Sequence, residues 1–236
     1  MKISIVIPTL NEEKKIADTL GLLRKRFPGA EIIVADGLSS DHTQQIARKI
    51  ADKVVCEVHK GGKPKSIGAG RNVGARHAKG DVILFNDADT HPQPHYYAEM
   101  KKAFENPCVV GVGCKIMPDE ATPLQRFVFE LLNLMVWMSV KIGRPAIAGN
   151  SVAYRKDAFF KIGGFDEEMQ ASEDQDLCVR ISKRGKVVYL NHVIAFTDSR
   201  RLKKFGLIGL LFDWGRTTFN FITGQKNRRY AIVREI

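Results

Sequence analysis

VILFNDADTH, residues 82–91, opens with four apolar residues and closes on Asp87 and Asp89. A short apolar run without polar alternation marks a strand buried on both faces, which belongs in a parallel sheet. Carboxylates at i and i+2 of an extended segment point the same way. Taken alone they read first as a turn, because Asp and Asn side chains bond the local backbone at strand ends. The second reading is a divalent cation, since paired hard oxygens suit Mg²⁺ or Mn²⁺, which shares its coordination with substrate phosphates. The neighbouring segments weigh between the two.

Upstream, Ile3 to Ile7 is another apolar, β-branched run, ended by Pro8. Ile16, Leu20, Leu23 and Phe27 then recur at helical spacing, which predicts a helix over 12–27 with Asn11 as its cap and Glu12 and Glu13 in the first turn. Residues 31–35 repeat the strand signal and Asp36 stands at the end of it. Ser39, Ser40 and Asp41 predict the cap of a helix through Ala51, and residues 54–56 a third strand. A β-α-β-α-β run implies a parallel sheet with right-handed crossovers and a ligand cleft outside the carboxyl ends of the strands. Those ends carry 8–12, Asp36, and Asp87 with Asp89. Three polar strand ends on one sheet edge favour a shared cleft over three unrelated turns.

Between the third strand and Val82 lies HKGGKPKSIGAGRNVGARHAKGD, a basic, glycine-rich loop that predicts a helix over 66–78. Backbone amides at a helix start, with Lys63, Lys65 and Arg71 nearby, suit a diphosphate. The glycines do not follow the dinucleotide-binding spacing, and Lys63 is followed by Pro64 where a P-loop needs Ser or Thr. Dehydrogenase and P-loop chemistry are therefore disfavoured.

The chain of 236 residues carries 37 Lys and Arg against 26 acidic residues, a formal charge of +11, which points to an anionic partner. Nucleic acid is disfavoured, because zinc-finger spacing, aromatic RNA-binding signatures and a recognition helix are all lacking. The four cysteines form no C-x-x-C pair and are expected as buried thiols in a reducing, cytoplasmic setting. No apolar run is long enough to span a bilayer. Residues 127–140 and 203–221 are nonetheless rich in Leu, Met, Phe and Trp. They predict either packed helices or, with Lys203, Lys204, Lys226, Arg228 and Arg229 around the second, a helix resting on an anionic membrane face. We divide the chain at residue 198, with 199–236 as a C-terminal extension.

Five segments in order carry a resemblance: IVIPTLNEE (5–13), VADGLSSDHT (34–43), GAGRNVGARHAKGDVILFNDADT (68–90), AGNSVAYRKDAFFKIGGFDE (148–167) and SEDQDLCVRISKRG (172–185). Together they resemble family 2 glycosyltransferases of the GT-A fold, an α/β fold with a mostly parallel sheet between helices. The resemblance implies metal-dependent, inverting transfer of a sugar from a UDP-, GDP- or dTDP-sugar to an acceptor, with Mn²⁺ or Mg²⁺ as cofactor. Carried over residue by residue, it implies that Pro8, Thr9, Leu10 and Glu12 line the nucleoside pocket and that Asp36 meets the base. Arg71, with Gly70 where the family pattern has alanine, would contact base or diphosphate. Asp89 would bridge metal and diphosphate, with Asp87 near the ribose and also facing the metal. Asp174 would be the general base and Glu173 would orient the acceptor, although Ser172 followed by acidic residues also reads as a plain helix start. Gly149 and Asn150 would floor the donor sugar, with Gly164 in the turn toward the base. The family's histidine after the last core strand is missing, which leaves Asp198, His192 or water as a further metal ligand. The competing classes are a sugar-nucleotide pyrophosphorylase, disfavoured by PTLNEE after the first strand, and a nucleotide-sugar binding protein without catalysis.

Overall fold

The computed structural model describes residues 1–56 and 66–224. Strands β1 (Ile3–Thr9), β2 (Glu31–Asp36), β3 (Lys53–Cys56) and β4 (Val82–Asn86) form a parallel half-sheet, interleaved with helices α1 (Ile16–Arg26), α2 (Thr43–Ala47) and α3 (Ile67–His77). The second half holds β5 (Thr90–Pro92), α4 (Tyr96–Glu105), β6 (Val109–Pro118), α5 (Pro123–Lys141), β7 (Ser151–Arg155), α6 (Lys156–Lys161), α7 (Glu173–Ser182), β8 (Lys186–Thr197) and α8 (Arg200–Ile222). One sheet of eight strands results, in the order β3-β2-β1-β4-β7-β6-β8-β5. β7 runs antiparallel to both β4 and β6, β8 is parallel to β6, and β5 is antiparallel to β8.

Alternate residues of the inner strands enter two separate cores, as expected of a sheet covered on both faces. Ile5, Ile7, Ile32, Val34, Val82 and Leu84 pack with α1 and α4. Val6, Ile33, Ile83 and Phe85 pack on the other face with residues of α3, α6 and α7. The small residues of α3 let its backbone lie close to β1: a Cβ on Gly74 would stand 2.4 Å from Cγ1 of Val6.

Several local expectations are corrected. α1 begins at Ile16 rather than at residue 12, and Asn11 does not cap it. Asn11 instead takes a left-handed conformation (φ 55°), donates its N–H to Ser39 Oγ (2.8 Å) and accepts from the Ser40 N–H (2.9 Å), tying the β1 loop to the β2 loop. α2 stops at Ala47, short of Ala51. Ser172 is left-handed (φ 63°) and makes no capping bond; its hydroxyl donates to the Thr217 carbonyl of α8. Of the cysteines, Cys114 and Cys178 are buried, whereas Cys108 is exposed and Cys56 half-buried. α3 starts where expected, with the Ser66 hydroxyl accepting from the Ala69 N–H.

Candidate active site

The carboxyl ends of β1, β2 and β4 lie on one edge of the sheet, and the turn entering antiparallel β7 is brought to the same edge by the pairing of Asn86 with Ser151. Thr9 closes β1 and donates its hydroxyl to Asp36 Oδ2 at 2.9 Å. The Ser39 N–H and hydroxyl (2.8 and 2.6 Å) and the Gln44 amide (2.8 Å) complete a shell around the buried Asp36 carboxylate. Pro8 and Leu10 are half-buried beside it. Glu12 donates its N–H to Thr43 Oγ1, so the loop after β1 is pinned to α2.

Arg71 on α3 is the hub of the second cluster. Only 2% exposed, its guanidinium donates to Asp87 Oδ1 (2.8 Å), Glu173 Oε1 (2.8 Å) and the Gly149 carbonyl (3.1 Å). Burial disfavours its charge, but Asp87 and Glu173 outweigh that and hold it firmly protonated. Its Cζ lies over the Phe165 ring, 5.4 Å from the centroid. Gly149 is glycine for a steric reason, because a Cβ there would sit 2.8 Å from Arg71 Nη1. The Gly149 N–H in turn donates to Asp174 Oδ2 at 2.7 Å, and the Asp87 N–H donates to the Asn150 carbonyl at 2.8 Å. Asp87, Arg71, Gly149, Asn150, Glu173 and Asp174 therefore form one connected network drawn from the end of β4, α3, α7 and the turn before β7.

The two acidic residues of α7 have different surroundings. Glu173 is buried, and burial together with the charge of Asp174 pushes its carboxyl up to about 7. Asp174 is only partly covered. Burial also raises Asp87 above the usual carboxylate range, against the opposing pull of Arg71. Gly164 lies beneath this network rather than in it: it is buried, and its neighbour Phe165 exchanges hydrogen bonds with the Asn72 side chain.

A third cluster surrounds Arg200, the first residue of α8. Its guanidinium donates to Asp89 Oδ2 (2.8 Å) and to both carboxylate oxygens of Glu12 (3.1 and 3.3 Å), and it lies 3.5 Å from Asp198 Oδ1. Lys15 pairs with the other Asp198 oxygen at 2.8 Å. The pairing of Thr90 with Thr197 sets Asp89 and Asp198 side by side, and the Asp198 N–H donates to the Asp89 carbonyl. His192 is elsewhere, paired with Glu99 of α4. Lys63 and Lys65 fall outside the described residues. Neither Arg200 nor Lys15 stood out in the sequence as a site residue, because Arg200 reads as one of several late basic residues. Its position two residues after Asp198 was the available signal.

The oxygens here fit a hard divalent cation. Asp89 and Asp198 from adjacent strand ends converge on one positive group, a guanidinium, so the place is built to hold positive charge. Among the described residues no three acidic, His or Cys side chains are grouped to cage an ion unaided. An ion held by Asp89 and Asp198 would therefore have to complete its coordination with substrate phosphates and water.

A family model described as Glycosyl transferase family 2 matches residues 4–163. The chain belongs to this family. A relative from Bacillus subtilis (strain 168), "Probable glycosyltransferase YdaM", is 31% identical over 202 residues, which cover 78% of this chain and 47% of that protein. A "Dolichol-phosphate mannosyltransferase" from Pyrococcus furiosus is 26% identical over 149 residues, 62% of this chain and 42% of that one. The chain thus spans about half the length of these relatives. Among solved structures, the mannosyltransferase PcManGT of Pyrobaculum calidifontis, in complex with GDP-Man and Mn²⁺, superposes with a TM-score of 0.67 at 20% identity, covering 91% of this chain and 64% of that one. Its likeness establishes the GT-A fold expected from the sequence.

Proposed function

We propose that this family 2 glycosyltransferase moves a sugar from a nucleotide-diphosphate donor to an acceptor hydroxyl or phosphate by a single, inverting displacement. The observation that carries the reading is the network linking Asp87 to Asp174 through Arg71 and Gly149, set beside Asp89 on one sheet edge. In this reading the nucleoside lies among Pro8, Thr9, Leu10 and the loop held by Asp36. Asp87 faces the ribose, and Arg71 fixes the position of Asp87 and Glu173. Asp89 and Asp198 would hold a divalent cation, which stabilises the charge that develops on the departing diphosphate.

Asp174 has the geometry of a general base. Its Oδ2 accepts from the Gly149 N–H and its Oδ1 from the Gln175 N–H, which fixes its direction, and its partial cover leaves it open to an acceptor. The acceptor oxygen attacks the anomeric carbon, its proton passes to Asp174, and the bond to the diphosphate oxygen breaks. Glu173 is tied to Arg71 and serves the acceptor through that network. A screen of UDP-, GDP- and dTDP-sugars with Mn²⁺ or Mg²⁺, reading nucleoside diphosphate release, tests the reading; no release from any donor in the presence of varied acceptors counts against it.

A lipid-linked acceptor on an anionic membrane face is the finer part of the proposal. α5 and α8 pack together through Phe129 and Trp214 yet expose large apolar side chains, including Phe127 at 61%, Ile208 at 85% and Phe212 at 74%. Lys141, Arg144, Lys204 and Arg216 are exposed near these stretches. Exposed apolar area with basic neighbours suits an interfacial helix pair. No helix among the described residues is long and apolar enough to cross a membrane. Flotation with anionic liposomes at low and moderate salt should carry the protein upward, and Ile208→Asp with Phe212→Asp should leave it at the bottom. A protein that never floats refutes the surface.

A further inference from the structure

Arg200 stands where three strand ends meet. Glu12 follows β1, Asp89 follows β4 and Asp198 follows β8, and their carboxylates all contact its guanidinium, whose side chain is 14% exposed. A guanidinium is planar and offers several donors, so it can bridge carboxylates in a way an ammonium cannot. It is also suited to bidentate phosphate binding. The Asp89 oxygen that Arg200 occupies, Oδ2, belongs to the carboxylate assigned to the metal in the proposed function. A divalent cation arriving there meets a resident positive charge within contact distance. The two cannot share Asp89 without mutual repulsion in this half-buried place.

We propose that Arg200 is an exchangeable counter-ion: it holds Glu12, Asp89 and Asp198 when no cation is bound, gives up Asp89 and Asp198 to a divalent cation, and turns to the donor diphosphate. The inference rests on the glycosyltransferase reading and adds an order to it. The metal binds weakly by itself because it must displace Arg200. It binds well with a diphosphate, because the released guanidinium then gains a new anionic partner. Arg200 is also the first residue of α8, and a break at Gly206 (φ 66°) separates residues 200–205 from the rest of that helix. Leu202 and Leu210 are buried in one cluster on either side of that break, so the exchange is a rotation of the Arg200 side chain about its own torsions.

The test uses the full chain and Mn²⁺ alone, with free Mn²⁺ read by electron paramagnetic resonance, and then Mn²⁺ with UDP or GDP. Arg200→Gln should bind Mn²⁺ alone about tenfold more tightly than the unaltered protein and bind the nucleoside diphosphate about tenfold more weakly at saturating Mn²⁺. Arg200→Lys, which keeps the charge but loses the bridge, should fall between the two and guards against a Gln variant that fails to fold. Equal or weaker Mn²⁺ binding in both variants overturns the proposal, as does no detectable binding to any of the three proteins. Failure of the broader reading looks different: none of the proteins would bind UDP or GDP with Mn²⁺ present.

Discussion

Replacing Arg71 by methionine tests the hub of the site most severely. Methionine keeps much of the apolar stem and removes the guanidinium, leaving Asp87 and Glu173, with side chains 20% and 8% exposed, facing each other without a cation. It also strips the Gly149 carbonyl of its donor. Breaking a buried pair by deleting one partner costs about 3–5 kcal/mol. Asp87 keeps some contact with solvent, so the lower end, about 3 kcal/mol, is the working figure at pH 8. At about 2–4 °C per kcal/mol for a chain of this size, the melting temperature falls by roughly 6–12 °C. The loss has a pH signature. Glu173 ionises at about 7 in the native protein, and without Arg71 it ionises at still higher pH, so the variant carries the larger penalty as pH rises from 6 to 8. Chemical unfolding followed by circular dichroism at both pH values reads this directly. A loss below about 1 kcal/mol at pH 8, or one that shrinks as pH rises, would refute the buried-hub argument.

Glu173→Gln isolates the titration of that carboxyl. A native acid raised from 4.5 to about 7 binds more protons than the unfolded chain between those values, so its favourable contribution is complete below 4.5 and lost as pH rises through 7. The unaltered protein should therefore lose on the order of 3 kcal/mol relative to the Gln variant across that window, and parallel stability profiles would contradict the assignment. Gly149→Ala drives a Cβ against a guanidinium that two ion pairs hold in place. It should cost about 1–3 kcal/mol in unfolding and weaken donor binding through the displaced Gly149 N–H and Asp174; unchanged donor affinity and stability would show that the contact is slack.

The fold was legible where residues are buried on both faces. Ile3–Ile7, Glu31–Ala35 and Val82–Phe85 are apolar because the sheet is covered twice, and that pattern needs no tertiary information. Antiparallel β7 was harder: SVAYR has strand composition, but its direction depends on its pairing with Asn86 and Phe85, which lie far away in sequence. Caps failed where a polar residue had a longer-range partner. Asn11 and Ser172 both have cap chemistry, yet each takes a left-handed backbone and bonds another segment, the β2 loop for one and α8 for the other. Asp87, Asp89, Asp174 and Arg71 lie in motifs that single them out as candidates, and the structure links Asp87, Arg71 and Asp174 in one network. Their partners carry no such signal, since an ion pair across 102 positions, such as Arg71 with Glu173, leaves no local trace. Arg200 shows the same gap, because it meets Glu12 across 188 positions and resembles any surface arginine until the chain folds.

The central claim is a division of labour between Asp89, which serves the leaving diphosphate, and Asp174, which takes the acceptor proton. Donor affinity by calorimetry and single-turnover transfer, measured side by side for Asp174→Asn and Asp89→Ala, tests it most directly. The account predicts that Asp174→Asn binds donor within about threefold of the unaltered protein while transfer falls by roughly 10²–10⁴, and that Asp89→Ala loses metal-stimulated donor binding itself. Equal loss of donor binding in both variants, or full transfer by Asp174→Asn, would contradict it.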